Sequence, residues 1–158
     1  MPVLGSGNGP APVADCCDRR VGDRPRSHLE RPLRRGFALG QSVFVQRGDE
    51  VIEAPEAKAR LDRGALFLDA RPADFYKMGH IPRALPLPEP DFERAFAGLE
   101  PRLRHHFNLV VYCSGYGCEA SHIVARRLRE KGIHAAILNE GWPAWTDAGY
   151  PVTSGETP

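Results

Sequence analysis

Four short apolar runs, Ala65–Leu68, Ala84–Leu87, Leu109–Tyr112 and Ala135–Leu138, alternate with segments of helical spacing, and this alternation restricts the chain to an α/β architecture. Val51-Ile52 forms a further short strand ahead of them. Pro55 suits the first turn of a helix that continues through Ala57 to Leu61 and stops at Gly64. A short helix over Ala73 to Met78 follows the Leu68-Asp69 strand end, and a longer one runs from about Pro90 to Arg104. The next helix spans Ser121 to Lys131, with Ser121 as its N-cap and Gly132 as its stop. Along it Ile123, Val124, Ala125 and Leu128 face a sheet, while Arg126, Arg127, Arg129, Glu130 and Lys131 form the wet side. A last short helix holds Trp142 to Trp145. The expected fold is therefore a central, mostly parallel sheet with helices on both faces. Sites in such sheets lie outside the carboxyl ends of strands. Asp69, Arg71 and Cys113 all stand at such ends, which lets them converge on one pocket.

The chain divides unevenly. Residues 1–36 carry Gly, Pro, Asp and Arg with few large apolar side chains, so they cannot offset ordering entropy and are expected to form a disordered tail. Residues 37–50 read as a leader packing on the domain, with a strand at Ser42–Gln46 and a turn at Arg47-Gly48-Asp49. The domain itself is expected over 51–153, and 154–158 as a flexible end. At 158 residues and 42% hydrophobic composition the chain suits one domain with a substantial core. A formal net charge of +1 argues against a nucleic-acid or membrane-surface binder, although the first part of the chain is locally basic. No apolar stretch approaches the ~20 residues of a membrane span, and no signal segment is evident at the start, so a cytoplasmic location is the default expectation. The four cysteines, Cys16-Cys17 and Cys113 with Cys118, form neither a disulfide framework nor paired zinc knuckles. No metal or other cofactor is expected.

Cys113 is the residue with chemistry to offer. It follows the Leu109–Tyr112 strand and faces the start of a helix, where unpaired backbone N–H groups and the positive end of the helix dipole stabilise an anion. Such surroundings bring a thiol from about 8.5 into the range of roughly 3.5 to 7.5, making thiolate the resting form at neutral pH. Gly115 and Gly117 permit the backbone turns of an anion cradle. A buried structural cysteine at a strand end is the plain alternative.

The Leu68-Asp69-Ala70-Arg71-Pro72 segment, Phe75-Tyr76, Gly79-His80-Ile81-Pro82-Arg83-Ala84, Val111-Tyr112-Cys113, Asn139-Glu140-Gly141-Trp142-Pro143-Ala144-Trp145 and Gly149-Tyr150-Pro151-Val152 resemble, in that order, a single-domain rhodanese. The resemblance covers roughly Val51 to Val152. It implies the rhodanese-like α/β fold and transfer of a sulfane sulfur through a persulfide on Cys113. The persulfide-binding loop would be Ser114, Gly115, Tyr116, Gly117, Cys118, Glu119, Ala120 and Ser121, with Asp69 and Arg71 in support, Arg71 near the loop. The implied partners are a small sulfur donor (a persulfide, a polysulfide or thiosulfate) and a thiol acceptor, which can be a protein; neither nucleic acid nor membrane is implied.

Three departures qualify this picture. Arg83 and Glu140 stand where the family usually has glycine. The loop from Ser114 to Ala120 is longer than in many rhodaneses and holds Glu119 but no cation. Two unit charges about 4 Å apart interact by about 4 kcal/mol at an effective dielectric near 20, so a carboxylate there disfavours a dianionic donor such as thiosulfate. The related cysteine phosphatases and arsenate reductases place an oxyanion-binding arginine at the position of Glu119, which argues against both activities here. The loop also resembles a Cys-x4-Cys variant found in some rhodanese-like proteins. Cys118 then has two open readings: it attacks the Cys113 persulfide to leave a disulfide, which would make a thiol redox enzyme, or it only packs the loop. A non-catalytic binding module is a further alternative.

Other residues have plainer roles. Asp69 and Arg71 are expected to pair and position loops rather than touch substrate. His80 satisfies backbone groups at a turn, with a general base as the minority reading. His105-His106 suit a helix C-terminus. Trp142 and Trp145 cover the sheet edge and core, and Tyr116 gates the pocket or meets a partner.

Overall fold

The computed structural model describes Gly9 and residues 46–156. The expected tail, Cys16-Cys17, nearly all of the expected Ser42–Gln46 strand and the last two residues lie outside the described residues. The expected turn is present at Arg47-Gly48, closed by the Asp49 N–H on the Gln46 carbonyl at 3.0 Å.

The described chain runs β1 (Val51–Ile52), α1 (Ala54–Asp62), β2 (Leu66–Asp69), α2 (Ala73–Met78), β3 (Leu85–Pro86), a 3-10 turn (Glu89–Asp91), α3 (Phe92–Arg104), β4 (Leu109–Tyr112), α4 (Ala120–Glu130), β5 (Ala136–Leu138) and α5 (Gly141–Asp147). The five strands form one sheet in the order β1-β5-β4-β2-β3, and every pair is parallel. The mostly parallel expectation is met by a wholly parallel sheet. β3 is shorter than the expected Ala84–Leu87, and its Pro86, which has no N–H to donate, sits where proline is tolerated, on an edge strand.

Strand alternation divides the interior into two cores. On one face Leu66, Leu68, Leu109, Val111 and Ile137 pack against Phe92, Phe96 and Leu103 of α3 and Val124, Ala125 and Leu128 of α4. On the other, Phe67, Val110, Tyr112, Ala136 and Leu138 meet Ala57 and Leu61 of α1, Tyr76 of α2 and Trp145 of α5. Full burial of one such large side chain contributes about 1.5–3 kcal/mol, so both faces are anchored by many independent contributions.

The start of α4 differs from the sequence expectation. Glu119 occupies the N-cap position without a side-chain cap bond, and Ser121 lies inside the helix, buried. Its hydroxyl is not capping backbone; it is engaged with the sulfur of Cys113.

Candidate active site

The β2–β4 register decides where each candidate points. Asp69 stands opposite Tyr112, and both side chains face the α1/α2/α5 core. Cys113 is one residue further along and turns its sulfur to the α3/α4 core. Asp69, Arg71 and Cys113 therefore do not converge on one pocket, because residues of opposite parity at neighbouring strand ends lie on opposite faces of the sheet.

On the Asp69 side, the carboxylate binds the Arg71 side chain at 2.6–3.1 Å, the Arg71 N–H at 2.9 Å and the Tyr112 hydroxyl at 2.7 Å. The Arg71 guanidinium also donates to the Gly79 carbonyl at 2.6 Å and lies over the Trp142 ring at 4.4 Å. Burial and the adjacent Asp69 charge push the Tyr112 hydroxyl far above its usual range, so it remains a proton donor. This arrangement is a fixed brace. His80 belongs to the same structural class: its ring stacks on Tyr76 at 3.9 Å, its Nδ1 meets the Tyr76 carbonyl at 2.9 Å, and its backbone bridges to Thr153. Trp145 is fully buried and donates to the Pro151 carbonyl, while Trp142 is half-buried.

On the other face, Cys113 is buried with its sulfur 3.3 Å from the Ser121 hydroxyl, which donates to it, and 3.3 Å from the Cys118 carbonyl, which accepts from the thiol form. A hydrogen bond from the Cys118 side chain lowers the Cys113 pKa most; burial opposes it, and the Ser121 hydroxyl and the amides of Gly115 and Ser121 add to it. The result is a thiol brought down to about 5. Donation to Cys113 and burial push the Cys118 thiol the other way, well above its ordinary value, so one of the two sulfurs holds the proton. Both cysteines are free thiols.

The loop is locked from behind. The Trp142 N–H donates to the Cys113 carbonyl at 2.8 Å. Gly141, at φ +54°, passes so close that a Cβ would lie 2.2 Å from that carbonyl oxygen, and a Cβ on Gly115, at φ +116°, would lie 2.8 Å from Pro143. Only glycine fits at these two approaches.

A cavity of about 30 Å³, room for a water-sized group, opens beside the sulfur. Of the expected loop residues, Cys113, Gly115, Tyr116, Gly117, Cys118 and Ser121 border it; Ser114, Glu119 and Ala120 do not. Ser114 is exposed and borders a separate groove with Arg71, Phe75 and Trp142. Tyr116 is 75% exposed at the mouth, where hydrogen bonding to Glu140 raises its hydroxyl pKa. The carboxylate that borders the cavity is thus Glu140 rather than Glu119.

Sequence reasoning missed His122, Asn139, Glu140 and Gly141 as cavity residues. The last three follow β5, the neighbour of β4, and the carboxyl-end rule applied to that strand would have found them. His122 carried only the signal of adjacency to Ser121. Among the described residues no group of three or more His, Cys, Asp or Glu side chains is gathered to hold a metal, and no helix is long and apolar enough to cross a membrane.

Comparison with known proteins agrees with this fold. A family profile described as the rhodanese-like domain matches residues 53–148. An HTH-type transcriptional regulator of Mycobacterium tuberculosis is 31% identical over 119 residues, covering 75% of this chain and 51% of its own length; the chain thus spans about half of that relative. The mitochondrial protein HIGH ARSENIC CONTENT 1 of Arabidopsis thaliana is 28% identical over 144 residues, covering 78% of this chain and 83% of its own. The crystal structure of a thiosulfate sulfurtransferase from Pseudomonas aeruginosa superposes with a TM-score of 0.56 at 29% identity, over 69% of this chain and 21% of that one. With a wholly parallel five-stranded sheet, a cysteine loop between β4 and α4, and a profile match across most of the described residues, the chain belongs to the rhodanese-like domain family.

Proposed function

We propose that the protein is a sulfurtransferase that carries sulfane sulfur as a persulfide on Cys113 and passes it to a thiol or other nucleophilic acceptor. The observation that carries this reading is the Cys113 sulfur itself: a thiol brought down to about 5, held by the Ser121 hydroxyl, and open to a cavity of about 30 Å³. The thiolate attacks the sulfane sulfur of the donor, the donor's leaving group departs with the electron pair, and the sulfur remains bound to Cys113. Loop amides and the Ser121 hydroxyl stabilise the anion before and after transfer. Glu140 at the cavity favours neutral or monoanionic persulfide and polysulfide donors over dianionic thiosulfate.

Intact-mass measurement after treatment with each donor class tests the reading. One added sulfur on the wild type and none on Cys113→Ser is expected. If Cys113 titrates like a free thiol and never gains sulfur, the domain is a binding module.

A second reading is favoured by one observation, that Cys118 borders the same cavity as Cys113. Its sulfur can attack Cys113 Sγ in the persulfide, breaking the S–S bond and releasing hydrosulfide, which takes the Cys118 proton; a Cys113–Cys118 disulfide remains, and an external dithiol must reduce it. A persulfide that persists with both cysteines present, without disulfide, would count against this route.

A further inference from the structure

His122 and Asp49 are distant in sequence yet meet, and His122 borders the cavity onto which Cys113 opens. The His122 Nδ1 lies 3.2 Å from Asp49 Oδ2, and the two side chains are 8% and 1% exposed. Asp49 is itself fixed: Oδ1 accepts from the Arg129 guanidinium at 2.9 Å, and Oδ2 accepts the Gln46 N–H at 2.9 Å. Burial opposes its charge, but these bonds hold its carboxyl below the usual carboxylate range. A carboxylate at Nδ1 fixes the neutral imidazole as the Nδ1–H tautomer and leaves the lone pair on Nε2. That nitrogen has no hydrogen-bond partner among the described residues, and His122 borders the same cavity as Cys113, Cys118 and Ser121.

We propose that His122, oriented by Asp49, is the general base that deprotonates the thiol acceptor when sulfur leaves Cys113. This rests on the persulfide reading above. The acceptor R–SH gives its proton to His122 Nε2, and the thiolate attacks the outer sulfur of the Cys113–S–SH persulfide. The S–S bond breaks, its electron pair returns to Cys113 Sγ as the stabilised thiolate, and the product is R–S–SH. The imidazolium then releases its proton to solvent, and no net oxidation or reduction has occurred. Loading of Cys113 needs no such base, because the thiolate is already formed. His80 supplies the contrast: its Nε2 is buried with no partner among the described residues, and His80 does not border the Cys113 cavity.

Loading and transfer, measured separately on wild type and His122→Gln, test this. Thiol acceptors of graded pKa are compared with sulfite in mildly alkaline buffer, where sulfite has no proton to lose. An unchanged circular dichroism spectrum reports an intact fold, and transfer to high-pKa thiols is expected to fall ~100-fold relative to the variant's own loading rate. The loss shrinks as the acceptor becomes more acidic and is absent with sulfite. Asp49→Asn follows the same acceptor dependence. Equal loss with every acceptor, or no loss with any, overturns the proposal. Failure of wild-type Cys113 to load at all is a different result, and refutes the persulfide reading instead.

Discussion

Asp69 and Tyr112 stand opposite one another in the β2–β4 register and are joined by a 2.7 Å hydrogen bond, which commits the Asp69-Arg71 brace to one face of the sheet. Cys113, one residue beyond Tyr112, is thereby committed to the other. The brace still reaches the loop through the backbone: Arg71 lies over the Trp142 ring, and the Trp142 N–H holds the Cys113 carbonyl.

Removing the Asp69 charge leaves the Arg71 guanidinium buried without its partner. Asp69→Asn is expected to destabilise the domain by about 3–5 kcal/mol in denaturant unfolding. Because the brace does not touch the sulfur, the Cys113 alkylation midpoint of the folded variant stays near that of the wild type.

The rate of Cys113 alkylation should rise with pH around a midpoint of about 5. Ser121→Ala removes one hydrogen bond to the anion and moves the midpoint upward by about one pH unit. Stability follows the same group. Folding lowers this thiol from 9.0 to about 5, so between those values the unfolded chain binds the extra proton and stability rises with pH. That contribution is fully present above pH 9 and is lost as pH falls through about 5. Comparing wild type with Cys113→Ser by thermal unfolding across this window isolates it.

Much of the fold was legible in the sequence because unbroken apolar runs such as Leu109–Tyr112 have few homes other than a sheet buried on both faces. The site was legible only in part. Cys113 was readable from strand, glycine loop and helix in succession. The separation of Asp69 from Cys113 needed the strand register, which no local pattern supplies. Ser121 looked like a cap because serine at a helix start usually caps backbone, whereas here its hydroxyl is taken by the sulfur. The Asp49–His122 pair joins residues 73 positions apart and was invisible to local reading.

Glu140 and Arg83, which replace the glycines usual in the family, have φ of +55° and +64°, the left-handed region. The family's glycines are thus explained by backbone conformation, and this chain carries side chains there at a cost. Arg83 gains a partial offset by donating to the Leu61 carbonyl at 3.0 Å. Glu140→Gly is expected to raise stability by about 1 kcal/mol in chemical denaturation.

The Glu140 carboxylate also bears on donor choice. Glu140→Gln keeps the backbone strain but removes the charge, and should speed Cys113 loading by thiosulfate at least about fivefold in stopped-flow measurements, since relief of only about 1 kcal/mol of repulsion suffices. Loading by a neutral polysulfide donor should change little. Equal changes with both donors would show that the charge does not select.

The most direct measurement loads the protein with a persulfide or polysulfide donor, removes the excess, adds a thiol acceptor, and follows intact mass through both steps. The account predicts one sulfur gained on Cys113 and then lost to the acceptor in equal amount, with Cys113→Ser silent throughout. A wild-type Cys113 that stays unmodified by every donor, or that holds its sulfur against every acceptor, would contradict it.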